Sequence, residues 1–464
     1  MATSLLKALC RPVVSAAVAV GALALGFSPP ASAQSLIRDA EIEDTLRVYT
    51  NPLLDAAGLA RNDVDLYVVN EDSVNAFVAG GQNIFVHTGL IMRADTPNEI
   101  IGVLAHETGH ISGGHGARRS QDIQRAMGPM LISIGLGVLA IAAGAPDAGA
   151  ALISGSQAFA MADIVRHTQV QESSADQAAV EFLDSAGQSG RGLITFFNTQ
   201  VRPYEFMARR APPWMMTHPY TSDRVEAVRE RVEAAENRDA VDTPDNLRRF
   251  QFMQAKLVGF IRTEGQTLAR YPLSDRSQPA RYARAVAYYR VSNLERARSE
   301  LDSLMAEDPR NAYFQELMGQ ILFENGRAAE SVPYHRRSLE LAPNQPLLQV
   351  NLARALTAAN GREGAEEAIG LLQSVVAREP DNAFAWRELA AARDLRGEEG
   401  LAQLASAEQN FAMGDYGAAL SFAERARRTL PRNTPSYQRA SDIVTFAGNE
   451  VRDSAPQQPR GRRS

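Results

Sequence analysis

The sequence predicts a mainly α chain in two parts: a compact α+β domain with a small sheet, then an all-α solenoid of helical repeats. Short runs of β-formers alternate with clearly signalled helices between residues 34 and 245, and from 246 to 451 the pattern is wholly helical and recurs at a near-constant spacing. A chain of 464 residues is also too long for one hydrophobic core.

Residues 1–33 read as a secretory signal. Lys7 and Arg11 form a positive start, Val13 to Phe27 is apolar, and Ala31-Ser32-Ala33 supplies the small residues of a cleavage site. Cys10 is the only cysteine, so the mature chain has neither a disulfide nor a thiolate metal site. Export to the periplasm is the expectation. Removing Lys7 and Arg11 takes the formal charge from −6 to −8, which argues against nucleic acid as a partner.

Leu66-Tyr67-Val68-Val69 is predicted to be a buried strand, and Asn83 to Thr88 another, with Asn75 to Ala79 and a Gly80-Gly81 turn between them. Thr96, Pro97 and Glu99 then mark a helix start: an N-cap, a proline at the first helical position and a capping-box glutamate. The stretch 126–162 is almost free of charge but rich in Gly and Ala and broken by Pro129, Pro146 and Asp147. It reads as apolar helices packed on the catalytic domain or as a hairpin that touches a membrane.

In the second part, Pro309 and Pro343 are 34 residues apart, and Pro380 follows after 37, with an insertion near Gly361 to Glu367. The segments share an Asn-Ala-aromatic opening (Asn311, Asn382), a leucine in the first helix (Leu317, Leu352, Leu389) and a central glycine (Gly326, Gly361, Gly397). This is the tetratricopeptide pattern, in which helix pairs stack because none buries its apolar face alone. Residues 452–464 are rich in Pro, Gln and Arg and are expected to be a disordered tail.

The chemistry centres on His106-Glu107-Thr108-Gly109-His110. Residues four apart share a helix face, so both imidazoles converge on one point and offer zinc two neutral nitrogens. Glu107 stands beside that point, placed to take a proton from an activated water and pass it to a leaving amine. A third ligand is needed. The extended motif would put a histidine at 116, where Gly116 stands, and His115 falls one place early. Glu172 and Asp176, also four apart, are better candidates: one carboxylate can bind the ion while the other accepts the N–H of a ligand histidine. His218, in Thr217-His218-Pro219, is suited to stabilising an oxyanion, and Arg224 to pairing a carboxylate or developing charge. The strand containing Ile84, Phe85 and Val86 is expected to hold substrate as an added strand. His87, His167 and His335 read as structural or exposed.

Together, these motifs with Asn75-Ala76-Phe77 and Val86-x-Thr88-Gly89-Leu90 resemble the zinc peptidase family of the CAAX prenyl protease and the heat-shock membrane protease. An exported catalytic domain followed by repeats is similar to periplasmic members that combine protease and chaperone roles in β-barrel assembly. The resemblance implies a zincin fold, one Zn2+ per subunit held by His106, His110 and Glu172, Asp176 behind them, and His218 close to the metal as a fourth, latent ligand. It further implies unfolded or misassembled envelope proteins as substrates, and repeats that bind the client or the outer-membrane assembly machinery. The alternative is a chaperone or adaptor whose zinc site is largely latent. The mature chain has no cysteine, no G-x-S-x-G elbow and no phosphate loop to support other hydrolytic chemistry.

Overall fold

The computed structural model describes residues 35–116, 130–136, 138, 146–201, 218–219 and 221–454. The expected signal segment 1–33 lies outside them, as do most of 117–145 and residues 455–464. Helix propagation carries Arg452 to Ser454, the first residues of the expected tail, into the last helix, where the Arg452 guanidinium donates to the Gly448 carbonyl.

The N-terminal part contains β1 (Leu36–Ile37), α1 (Ala40–Ala56), β2 (Asp65–Val69), β3 (Ala76–Ala79), β4 (Asn83–His87), α2 (Thr88–Arg93), α3 (Pro97–Ser112), α4 (Pro146–Ser185), α5 (Arg191–Phe196) and α6 (Ser222–Ala234). The sheet order is β1-β2-β4-β3, with β2 and β4 parallel and both outer pairs antiparallel. Side chains alternate across it. Ile84 and Val86 face the core with Leu46, Leu53, Val103 and Leu104, while Tyr67, Phe85 and Phe77 stack across the strands on the other face at 5.1 Å centroid spacings.

Thr96 caps α3 by accepting the Glu99 amide, and Glu99 reaches back to the amide of Asp95, one residue before the expected cap. Gly109 lets α4 cross α3 at close range: a Cβ there would lie 2.7 Å from the Ala175 carbonyl oxygen. The contact brings the α4 carboxylates to the α3 histidines.

Around 126–162 the described side chains do not pack on the core. Leu131, Ile132, Leu136 and Val138 are all exposed. Among the described residues, no helix is long and apolar enough to cross a membrane.

No linker separates the two parts. Thr243 caps α7 (Pro244–Ile261), which puts Phe250, Met253 and Leu257 into the first core and Phe252 and Ala255 into the second. The expected division at 245/246 therefore falls inside a helix that both parts share. Antiparallel pairs follow: α8 (Gln278–Arg290) with α9 (Leu294–Glu307), α10 (Ala312–Glu324) with α11 (Ala328–Leu341), and the two arms of Pro346–Arg378, which break at Gly361. Ala383–Arg396, Glu399–Ala412, Tyr416–Thr429 and Pro435–Ser454 complete an all-α stack of the tetratricopeptide kind.

Candidate metal centre

One helical turn on α3 points the His106 and His110 rings at a common centre, where their Nε2 atoms lie 3.1 Å apart. Glu172 arrives from α4, with Oε2 3.4 Å from His106 Nε2 and Oε1 3.4 Å from His110 Nε2. His218, from the segment before α6, places Nδ1 3.2 Å from His106 Nε2 and 3.2 Å from each Glu172 oxygen. Donor atoms of all four residues fall within 4.8 Å of one another. A tetrahedron with ligand arms of ~2.0–2.1 Å has edges of ~3.3–3.4 Å, close to these separations. Three imidazole nitrogens and one carboxylate form a donor set that fits a zinc ion.

The surroundings hold the donors in place. Asp176 Oδ1 lies 2.9 Å from His106 Nδ1. Arg224 clamps Asp176 with two parallel bonds, Nε to Oδ2 at 2.8 Å and Nη2 to Oδ1 at 2.9 Å. Its third nitrogen donates to the Pro219 carbonyl at 2.7 Å and lies 3.1 Å from Glu172. The guanidinium thus fastens the His218 segment to the carboxylate layer. His115, to which sequence reasoning gave no role, sits with Nδ1 2.9 Å from His110 Nδ1.

Burial sets the electrostatics. It pushes the fully enclosed Glu107 carboxyl up, opposed in part by His218 and His106. Both Glu107 oxygens are buried, and Oε1 is 3.5 Å from His218 Nε2. Burial also raises Glu172, but hydrogen bonds with His106 and His218 outweigh it and hold that carboxyl well below the usual range. His106 feels burial pulling it down, yet Asp176 and Glu172 lift it to about 10.

The structure brings His106, Glu107, His110, Glu172, Asp176, His218 and Arg224 together. It does not leave Ile84, Phe85 and Val86 free to add a strand, because β4 is paired on both sides, with β2 and with β3. The expectation fails for a topological reason: the chain places β3 outside β4. His87 N donates to Asn75 O, which fixes the alternation so that the Ala76 and Val78 amides point to the open edge. Val78 lies beside Glu107 and its amide helps lower that carboxyl. The other histidines stand apart: His87 meets Ser73 Oγ at 2.8 Å, His335 is packed on Gly319, and His167 is exposed.

A histidine pair on one helix, a carboxylate from a second and a buried glutamate beside them define a metalloprotease joined to helical repeats. Residues 38–232 match the model of Peptidase family M48. It is similar to the "Beta-barrel assembly-enhancing protease" of Yersinia pestis, 28% identical over 78% of this chain and 74% of the relative. The protein of the same name from Escherichia coli K12 is 25% identical over 77% and 73%. The E. coli K12 "Metalloprotease LoiP" is 28% identical over 40% of this chain and 71% of its own length.

Proposed function

We propose that the chain is a zinc endopeptidase of the periplasm that cleaves unfolded or misassembled outer-membrane proteins, and that the arrangement described above is its latent form. The observation that carries this reading is the convergence of His106, His110 and Glu172 on one point with Glu107 beside it. These three residues would hold the ion, and His218 Nδ1 lies where a substrate would reach it.

When bound, zinc polarises the scissile carbonyl and acidifies water. Glu107 accepts the proton of the attacking water and returns it to the leaving amine; its burial-raised affinity for a proton suits both transfers. His218 must swing away first. Asp176 orients His106, and Arg224 acts through Asp176 and the Pro219 carbonyl as a positioning residue. Substrate backbone pairs with the outward amides of Ala76 and Val78, a mode that selects extended chain over sequence.

The relatives named for β-barrel assembly, the apolar N-terminus and the repeat stack support a periplasmic role in which the repeats bind the client or the assembly machinery. Exposed Leu131, Ile132, Leu136 and Val138 supply an apolar surface for membrane contact.

A second reading, a chaperone or adaptor with a resting zinc site, draws on the same His218 blockade. Casein cleavage by the full chain separates the two. His218→Ala is expected to raise the rate, while Glu107→Gln and a zinc chelator abolish it, with zinc content unchanged in Glu107→Gln. Casein cleavage by Glu107→Gln at the wild-type rate would overturn the assignment. Client turnover in cells that is indifferent to Glu107→Gln would favour the adaptor.

A further inference from the structure

We propose that His115 is a positioning residue of the metal centre, its Nδ1 accepting the Nδ1–H of His110 and thereby fixing the tautomer that presents His110 Nε2 to the ion. The inference rests on the zinc reading and adds a residue to it.

His110 Nε2 is the nitrogen that faces the other donors, at 3.1 Å from His106 Nε2 and 3.4 Å from Glu172. A neutral ligand imidazole must then carry its proton on Nδ1, and that proton needs an acceptor. His115 Nδ1 is 2.9 Å away, with the two rings edge-on at 79° and centroids 5.0 Å apart. Accepting there leaves the His115 proton on Nε2. His106 has its counterpart in Asp176, 2.9 Å from Nδ1, so each α3 ligand has a partner on its far nitrogen.

The backbone is shaped for this contact. Helix α3 ends at Ser112, the Gly113 amide bonds back to Gly109 O, and Gly114 takes φ +62°, a left-handed conformation that turns the chain back on the helix end. His115 is only 5% exposed and lies against Gly113, where an added Cβ would come within 2.4 Å of its Nε2 and 2.8–2.9 Å of Cε1 and Cδ2. Gly113 itself has φ −73°, which any residue adopts, so glycine is required there for the ring's sake alone. The slip from position 116 to 115 thus changes what the histidine does. Too early in the chain to bind the ion, it binds a ligand.

The test is zinc affinity of the full-length chain by competition with a chelating dye, together with the visible spectrum of the Co2+-substituted protein. His115→Ala is expected to weaken zinc by ~10–100-fold and shift the cobalt bands. His115→Asn should restore both to near wild type, because Asn Oδ1 sits on Cγ as His Nδ1 does and accepts the same proton. Gly113→Ala keeps the imidazole but displaces it, and should match His115→Ala. If His115→Ala or Gly113→Ala binds zinc as tightly as wild type with an unshifted cobalt spectrum, or Asn fails to rescue, His115 has no such role. Absence of zinc binding by the wild type would instead overturn the metal-centre reading itself.

Discussion

Lys256 lies in the middle of α7 and is 1% exposed, a place where an ammonium survives only if paired. Its Nζ is 2.8 Å from Asp39, 3.1 Å from Glu316 and 3.6 Å from Glu41, which joins the start of α1 to the repeat helix α10. The Tyr282 hydroxyl donates to Glu41 at 2.8 Å. Lys256→Met keeps the volume and removes an ammonium facing three carboxylates, so the expected loss at pH 8 is ~3–5 kcal/mol. Burial already lifts Glu41 to about 7 and raises Glu316; without the ammonium both rise further. A carboxyl whose folded value exceeds its ordinary 4.5 favours the fold below 4.5, and that advantage is lost as pH climbs through 7. The deficit against wild type should therefore shrink to roughly 1 kcal/mol at pH 5. Urea denaturation of both proteins at the two pH values measures it. A deficit below ~1 kcal/mol at pH 8, or one independent of pH, would refute this account of the junction.

Three further outcomes are expected. Glu41→Gln, which removes one of the excess buried carboxylates while keeping an acceptor for Tyr282, should stabilise the chain above pH 7 by up to ~3 kcal/mol and have no effect below pH 4.5, read from urea midpoints. Asp176→Asn weakens both the partner of His106 Nδ1 and the buried counter-charge of Arg224, and should lower zinc affinity ~10–100-fold in dye competition. Val78→Pro deletes an outward amide that makes no ladder bond to β4 and lies beside Glu107; the strand should persist, and kcat/KM for casein should fall ~3–10-fold.

Local signals were readable because their causes are local. Thr96 and Pro97 start α3, the spacing of His106 and His110 sets one face, and the repeat prolines set the helix pairs. What depends on long-range placement was not. Nothing in Ile84-Phe85-Val86 tells a central strand from an edge strand; that follows from β2 pairing in parallel with β4 and leaving β3 outside. Glu172 and Asp176 share a face by their spacing, but their approach to α3 relies on the missing side chain of Gly109 meeting Ala175. His115 read as a mismatch to a longer motif, since the turn at Gly113 and Gly114 that redirects it is a backbone event. Lys256 takes its carboxylates from two segments distant in the chain, which no local pattern joins.

X-ray absorption at the zinc edge of the full-length protein tests the central claim most directly. The account predicts one zinc per chain with three imidazole nitrogens and one carboxylate oxygen at ~2.0–2.1 Å, and one imidazole fewer in His218→Ala. The same histidine count in both proteins, or a wild-type chain that retains no zinc, would contradict it.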